Sequence, residues 1–242
     1  MFRESHGRSV LKAVSWRVFG TVVTAGLVYV FTRRLALSLA VGGIEFVSKI
    51  GLFWLHERLW DRLPWGKRRI RPAVIWFTGL PGAGKSTIAA WVAERLRDRG
   101  LPVEQLDGDA VRRIFPATGF TRAERDEHLR RVGYLAGRLE AHGVFVVASF
   151  VSPYADSRAA VRASCDSFVE VYVSTPLAEC ERRDPKGLYA RARRGEIADF
   201  TGVSDPYEAP PSPEVEVDAS RLSVEAAGAK VLAAVDRRRA AP

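Results

Sequence analysis

The sequence predicts an α/β fold with a mostly parallel sheet, preceded by a separate pair of apolar helices. Three observations carry that expectation. Short runs rich in β-branched and aromatic residues, at 73–78, 101–106, 144–150 and 168–173, alternate with longer stretches of helical pattern, as strand–helix–strand units do. A glycine-rich turn follows the first of these runs directly. The charge is also unevenly divided: of 37 Lys and Arg and 28 Asp and Glu, residues 1–72 hold 13 and 4, and residues 73–242 hold 24 of each. The net charge of +9 therefore lies wholly within the first 72 residues, which also hold the most hydrophobic runs. Two domains are expected, an N-terminal one over 1–72 with a basic linker at its end, and an α/β domain over 73–242.

The N-terminal domain comes first in the chain. "VFGTVVTAGLVYVF", from Val18 to Phe31, carries no charge. "LALSLAVGGIEFVSKIGLFWL", from Leu35 to Leu55, carries only Glu45 and Lys49, spaced so that they can pair on one helix face. Helices are expected at about 16–32 and 35–55, close to the roughly 20 residues that span a bilayer. Gly26 and Gly42-Gly43 offer flat surfaces for close helix contact. Arg3, Arg8, Lys12 and Arg17 precede the first run, and Arg58, Arg62, Lys67, Arg68, Arg69 and Arg71 follow the second. Only Arg33 and Arg34 lie between. The positive-inside rule then puts both ends of a transmembrane hairpin in the cytoplasm, and Trp54, Trp60 and Trp65 suit an interfacial belt. A buried helical hairpin, an interfacial amphipathic anchor and a signal peptide are the competing readings.

The α/β domain opens on "AVIWFT", a buried strand by pattern, which leads into Gly79-Leu80-Pro81-Gly82-Ala83-Gly84-Lys85-Ser86. That octet matches G-x-x-x-x-G-K-[ST], and Thr87 onward continues as a helix. Glycines let backbone N–H groups approach phosphate oxygens, and the helix N-terminus adds its positive dipole end. Lys85 can reach the β- and γ-phosphates and Ser86 can ligate Mg²⁺. A nucleoside triphosphate is therefore expected here, with ATP and Mg²⁺ as cofactors. A second strand ends in Asp107-Gly108-Asp109. One of these carboxylates can help hold Mg²⁺ and the other can orient or deprotonate an acceptor hydroxyl. For Asp109 a helix N-cap is an equal alternative. Thr121 and Glu124 form a capping-box pattern before a long helix carrying Arg125, Arg130 and Arg131. The third strand ends in "VSPY", with Ser152 at the ligand side, and a fourth follows at 168–173. Arg182, Arg183, Lys186, Arg191, Arg193 and Arg194 then make a basic segment that reads as a mobile lid over phosphates. Two cysteines, Cys165 and Cys180, make no disulfide framework and fit a reducing compartment.

Two resemblances extend these readings. "LKAVSWRVFGT", "GGIEFVSKI" and "WLHERLWDRLPWG" resemble a small bacterial membrane domain of uncharacterised function with two helices. From about Ala73 to Val217 the chain resembles the adenylylsulfate kinase (APS kinase) family, through "GLPGAGKST", "LDGDAVR", "GFTRAERDEHLRR", "SFVSPY", "CERRDPKGLY" and "FTGVSDPYEAP". The resemblance implies Mg²⁺-dependent transfer of the ATP γ-phosphate to the 3′-hydroxyl of adenosine 5′-phosphosulfate (APS), giving 3′-phosphoadenosine 5′-phosphosulfate. It implies ATP contacts from the loop and Arg183, and catalytic roles for Lys85, Asp107, Asp109 and Ser152, with Ser86 and Asp107 at the metal. Ser152 matches a position described as a phosphoserine intermediate. Arg112, Arg125 and Lys186 suit the anionic acceptor, and Phe120 and Phe200 an aromatic clamp on its base. His128 stands where the family usually has an acceptor-binding Asn. A homodimer is usual for the family, and no nucleic-acid partner is implied. Together these readings place a multi-pass protein in the bacterial inner membrane with its kinase domain in the cytoplasm. A related small-molecule kinase and a nucleotide-binding membrane sensor are the alternatives.

Overall fold

In the computed structural model, the described residues are 2–4, 37–63, 67–69, 71–115 and 119–240, with positions 7, 10–12, 14–16, 18–20, 23 and 30. Contacts divide the chain into two units, Met1–Ile70 and Arg71–Pro242, each taken by itself.

In the first unit, strand β1 (Phe2–Glu4) precedes helix α1 (Leu37–Arg62), and strand β2 (Lys67–Arg69) follows it. Helix α1 runs past the expected end at 55, because His56 to Arg62 contain no helix breaker and the first proline stands at 64. β1 and β2 pair antiparallel, so the basic linker expected there is, over 67–69, a strand. The described positions between 7 and 30 are helical. The turn expected at Arg33-Arg34 lies outside the described residues. Lys12 Nζ donates to Glu57 Oε2 at 2.9 Å, and Ser15 Oγ lies 3.0 Å from His56 Nε2. Trp60 Nε1 donates to the same imidazole nitrogen at 3.0 Å, and Trp16 meets Phe53 edge-on. Two helical stretches thus lie side by side along a polar seam. Among the described residues no helix is long and apolar enough to cross a membrane.

The second unit is an α/β layer structure. Strand β3 (Val74–Thr78) and strand β5 (Phe145–Ser149) are buried at every residue, as strands covered on both faces must be. Between them come α2 (Lys85–Asp98), β4 (Val103–Asp107), α3 (Gly108–Ile114) and α4 (Arg122–Ala141). After them come α5 (Ala155–Ala163), β6 (Phe168–Val173), the short helices α6 (Leu177–Arg183) and α7 (Leu188–Arg193), β7 (Val215–Val217) and α8 (Val224–Ala240). The sheet order is β4-β5-β3-β6-β7, and every pairing in it is parallel.

Strand alternation divides the core into two layers. Val74, Trp76, Val146 and Ala148 pack with Leu129, Val132 and Ala136 of α4 and Val161 of α5. Ile75 and Phe77 face the other way, toward the side covered by α2 and α8, which pack against one another. The chain reverses around β3, so the carboxyl ends of β3, β4 and β5 open into one crevice, the place where open parallel sheets bind ligands.

Candidate active site

The loop after β3 and the start of α2 build the phosphate cradle. Gly79 adopts a φ of +147°, and a Cβ there would stand 2.5 Å from the Val173 carbonyl oxygen, so only glycine fits. Gly84 caps α2 in the left-handed region with no side-chain cap bond, which leaves the first-turn amides of a 14-residue helix for an anion. Thr175 Oγ1 donates to Ala83 O at 2.9 Å and Tyr189 of α7 donates to Pro81 O at 2.9 Å. These bonds fasten the loop to the end of β6 and to α7.

Lys85 is 8% exposed. Its ammonium donates to Gly79 O at 2.9 Å and Leu80 O at 2.8 Å. Burial pulls its pKa down to about 8, although Cys180, Asp107 and Asp109 oppose the shift. Ser86 and Thr87 are exposed at the loop rim. Ser86 Oγ donates to Asp107 Oδ2 at 3.0 Å. Asp107 also accepts from the amides of Asp109 at 3.1 Å and Ala110 at 3.4 Å. Burial alone would raise its pKa, but these hydrogen bonds, with one from Ser149, bring it below the usual carboxylate value.

The N-cap of α3 is therefore Asp107, which settles the alternative left open for Asp109. Asp109 stands in the first turn with its carboxylate largely exposed, and Lys186 from the α6–α7 turn pairs with it. The loop ends of β3 and β4 and the α6–α7 turn thus bring Lys85, Ser86, Asp107, Asp109 and Lys186 into one constellation. Arg183 lies over the cradle: its Nη1 is 3.9 Å from where a Gly84 Cβ would be, and it donates to Ala219 O at 2.8 Å.

Four expected site residues stand differently from their sequence reading. Ser152 is 3% exposed. Its hydroxyl accepts from Trp76 Nε1 at 3.1 Å and donates to Thr78 Oγ1 at 2.9 Å, so the reactive serine expected there is committed to the core. Arg125 is buried, and its guanidinium donates to Phe120 O, Asp199 O, Thr201 Oγ1 and Asp205. It ties the 199–205 loop to α4 rather than standing free for an anion. Phe120 is 59% exposed, with the Arg112 guanidinium 4.6 Å from its ring centroid, while Phe200 is buried edge-on against Tyr189. An open aromatic face is offered by Phe120 alone of the pair. His128 is 2% exposed between Phe115 and Phe150, and neither ring nitrogen has a hydrogen-bond partner. Burial first, then Arg112 and Arg131, push its pKa down to about 4, so it is neutral at physiological pH.

The expected basic lid is largely neutralised from within. Arg182 and Arg183 pair with Glu179, Arg193 with Glu181, and Arg191 and Arg194 with Glu196. Sequence reading missed Ser149, whose hydroxyl meets Asp107, and the Thr78–Tyr207 bond that backs Ser152. A serine closing an apolar strand gave no signal without the strand register.

A model of one family, described as adenylylsulphate kinase, matches residues 71–218. The chain belongs to the adenylylsulphate kinase family. A second family, described as a predicted membrane protein (DUF2061), matches residues 10–61. An adenylyl-sulfate kinase of Gloeothece citriformis is 49% identical over 168 residues, 69% of this chain and 96% of that protein. One from Picosynechococcus is 53% identical over 147 residues, 60% of this chain and 83% of that one. The solved Mycobacterium tuberculosis APS kinase CysC, in complex with AMPPNP and APS, is 39% identical. It aligns with a TM-score of 0.67 over 69% of this chain and 99% of its own.

Proposed function

We propose that the kinase unit carries out its family's reaction, ATP γ-phosphoryl transfer to the 3′-hydroxyl of APS, with these residues in these roles. The observation that carries the reading is the constellation itself. A phosphate cradle, a cation able to follow the γ-phosphate and two carboxylates meet at the carboxyl ends of β3 and β4, which flank β5 in the parallel sheet. The solved relative with AMPPNP and APS supports the choice of donor and acceptor.

Lys85 leaves the Gly79 and Leu80 carbonyls and follows the γ-phosphate through transfer. Ser86 and Asp107 fit Mg²⁺: their donors are all oxygen, with one carboxylate, and among the described residues no group of three His, Cys, Asp or Glu forms a cage. That is the donor set of a cation held partly by phosphates. When bound, Mg²⁺ neutralises and orients the β- and γ-phosphates. Asp109 accepts the proton of the attacking 3′-hydroxyl, and Lys186 and Arg112 meet the acceptor's negative charge. Phe120 offers the base a stacking face, worth roughly 1–3 kcal/mol. Transfer is direct, because the Ser152 hydroxyl is held inside the core.

The N-terminal unit is proposed as a membrane hairpin with both ends on the cytoplasmic side. Its support is the apolar runs, the basic flanks and the family matched at 10–61. The described helix pair adds an inside-out pattern. Lys12, Ser15, His56 and Glu57 meet in its seam, while Val14, Val18, Trp54, Leu55 and Leu59 are all more than half exposed. Water would favour the reverse arrangement.

An ADP-release assay with APS against other nucleotides, sugars and water tests the enzymatic reading. APS alone is expected to drive ADP formation. Equal release with a sugar acceptor would move the chain to another small-molecule kinase activity. Release with none would support the sensor.

A further inference from the structure

Ser149 is the last residue of β5 and only 3% exposed. Register places it directly opposite Asp107, the last residue of β4, on adjacent parallel strands. Its hydroxyl donates to Asp107 Oδ2 at 3.1 Å. The same oxygen accepts from Ser86 Oγ, and the two serine hydroxyls are 3.5 Å apart. The other carboxylate oxygen accepts from the Asp109 and Ala110 amides. The carboxylate is thus held at four points, two on each oxygen, and cannot rotate without breaking at least one pair. Gly108 follows Asp107, and a Cβ there would stand 3.3 Å from Ser149 O and 3.4 Å from a Phe150 ring carbon.

We propose that Ser149 is a positioning residue for the metal-binding carboxylate. Its hydroxyl keeps a donor on Asp107 Oδ2 when Ser86 turns its lone pair to a cation, so the carboxylate stays aimed at the same point. Groups that orient metal ligands in this way act on metal affinity as the ligands do. The inference rests on the reading that Ser86 and Asp107 hold Mg²⁺.

The test is calorimetric binding of AMPPNP to the full chain with and without Mg²⁺, for wild type, Ser149→Ala, Ser149→Thr, Ser149→Val and Asp107→Asn. Thr and Val match in shape and differ in the hydroxyl, so they separate hydrogen bonding from packing. We expect the strengthening that Mg²⁺ confers to fall by roughly tenfold or more in the Ala and Val variants and to persist in Thr. Affinity without Mg²⁺ should stay the same in all three. A full Mg²⁺ effect in Ala or Val, alongside its loss in Asp107→Asn, would overturn the role of Ser149. A full effect in Asp107→Asn would instead remove the metal reading beneath it.

Discussion

At the scale of the residue, Lys85 carries the most consequence. Its ammonium is buried against two carbonyls of its own loop, and its pKa falls from 10.5 to about 8. The folded state therefore binds this proton less readily than the unfolded chain. Stability should rise with pH through the window from about 8 to 10.5, where the unfolded state still holds the proton. Comparing the pH dependence of unfolding in wild type and Lys85→Met isolates that slope, which the variant should lack. The same substitution should abolish phosphoryl transfer and leave the fold intact. His128 acts with the same sign at lower pH. Its pKa of about 4, against 6.5 unfolded, predicts a loss of stability as pH falls from 6.5 toward 4. His128→Asn should lose less over that interval. The variant should bind APS equally well or more tightly, and the APS KM of both proteins should run parallel with pH between about 6 and 8. A steep divergence in that range would show that the imidazole titrates in the working enzyme.

At the scale of the element, the turns between strands and helices decide the chemistry. The loop after β3 was legible in the sequence because its glycines, lysine and serine have fixed spacing between an apolar run and a helix. The capping box of α4 was legible for the same reason: Thr121 and Glu124 bond reciprocally as spaced. The division of labour between Asp107 and Asp109 was not, since two carboxylates a residue apart both suit a cap. Backbone direction at the end of β4 decides between them. Thus Asp107→Ala should cost both turnover and, through the lost cap, on the order of 1 kcal/mol of stability. Asp109→Ala should lower turnover with little change in melting temperature, because no cap bond is lost. Equal melting losses in the two would contradict the assignment. Ser149 and Arg125 were hidden for another reason. Each takes its role from a contact distant in the chain, Ser149 with Asp107 and Arg125 with Asp205, and no local pattern encodes those.

At the scale of the whole molecule, the charge asymmetry and the two-unit division agree. Residues 73–242 balance 24 basic against 24 acidic groups and lie within the unit that holds the entire constellation. A chain of residues 71–242 should be soluble without detergent and should phosphorylate APS. The full chain should sediment with membranes and resist high salt. Salt screens charge beyond about 10 Å at 0.1 M, but it does not release a buried apolar helix. Cysteines near Arg33 should label from outside and ones near Lys67 only from inside. Release by salt alone would replace the hairpin with a peripheral basic anchor. Direct transfer from ATP to APS, in the crevice at the carboxyl ends of β3, β5 and β4, is the step on which the proposed chemistry turns. Its most direct test is a rapid-quench single turnover with ATP radiolabelled in the γ-phosphate, separating protein from nucleotide at each time. Label should leave ATP and reach the 3′-oxygen of APS at one rate, with unlabelled protein throughout. Label on Ser152 ahead of the nucleotide, or ADP formed at the same rate without APS, would contradict it.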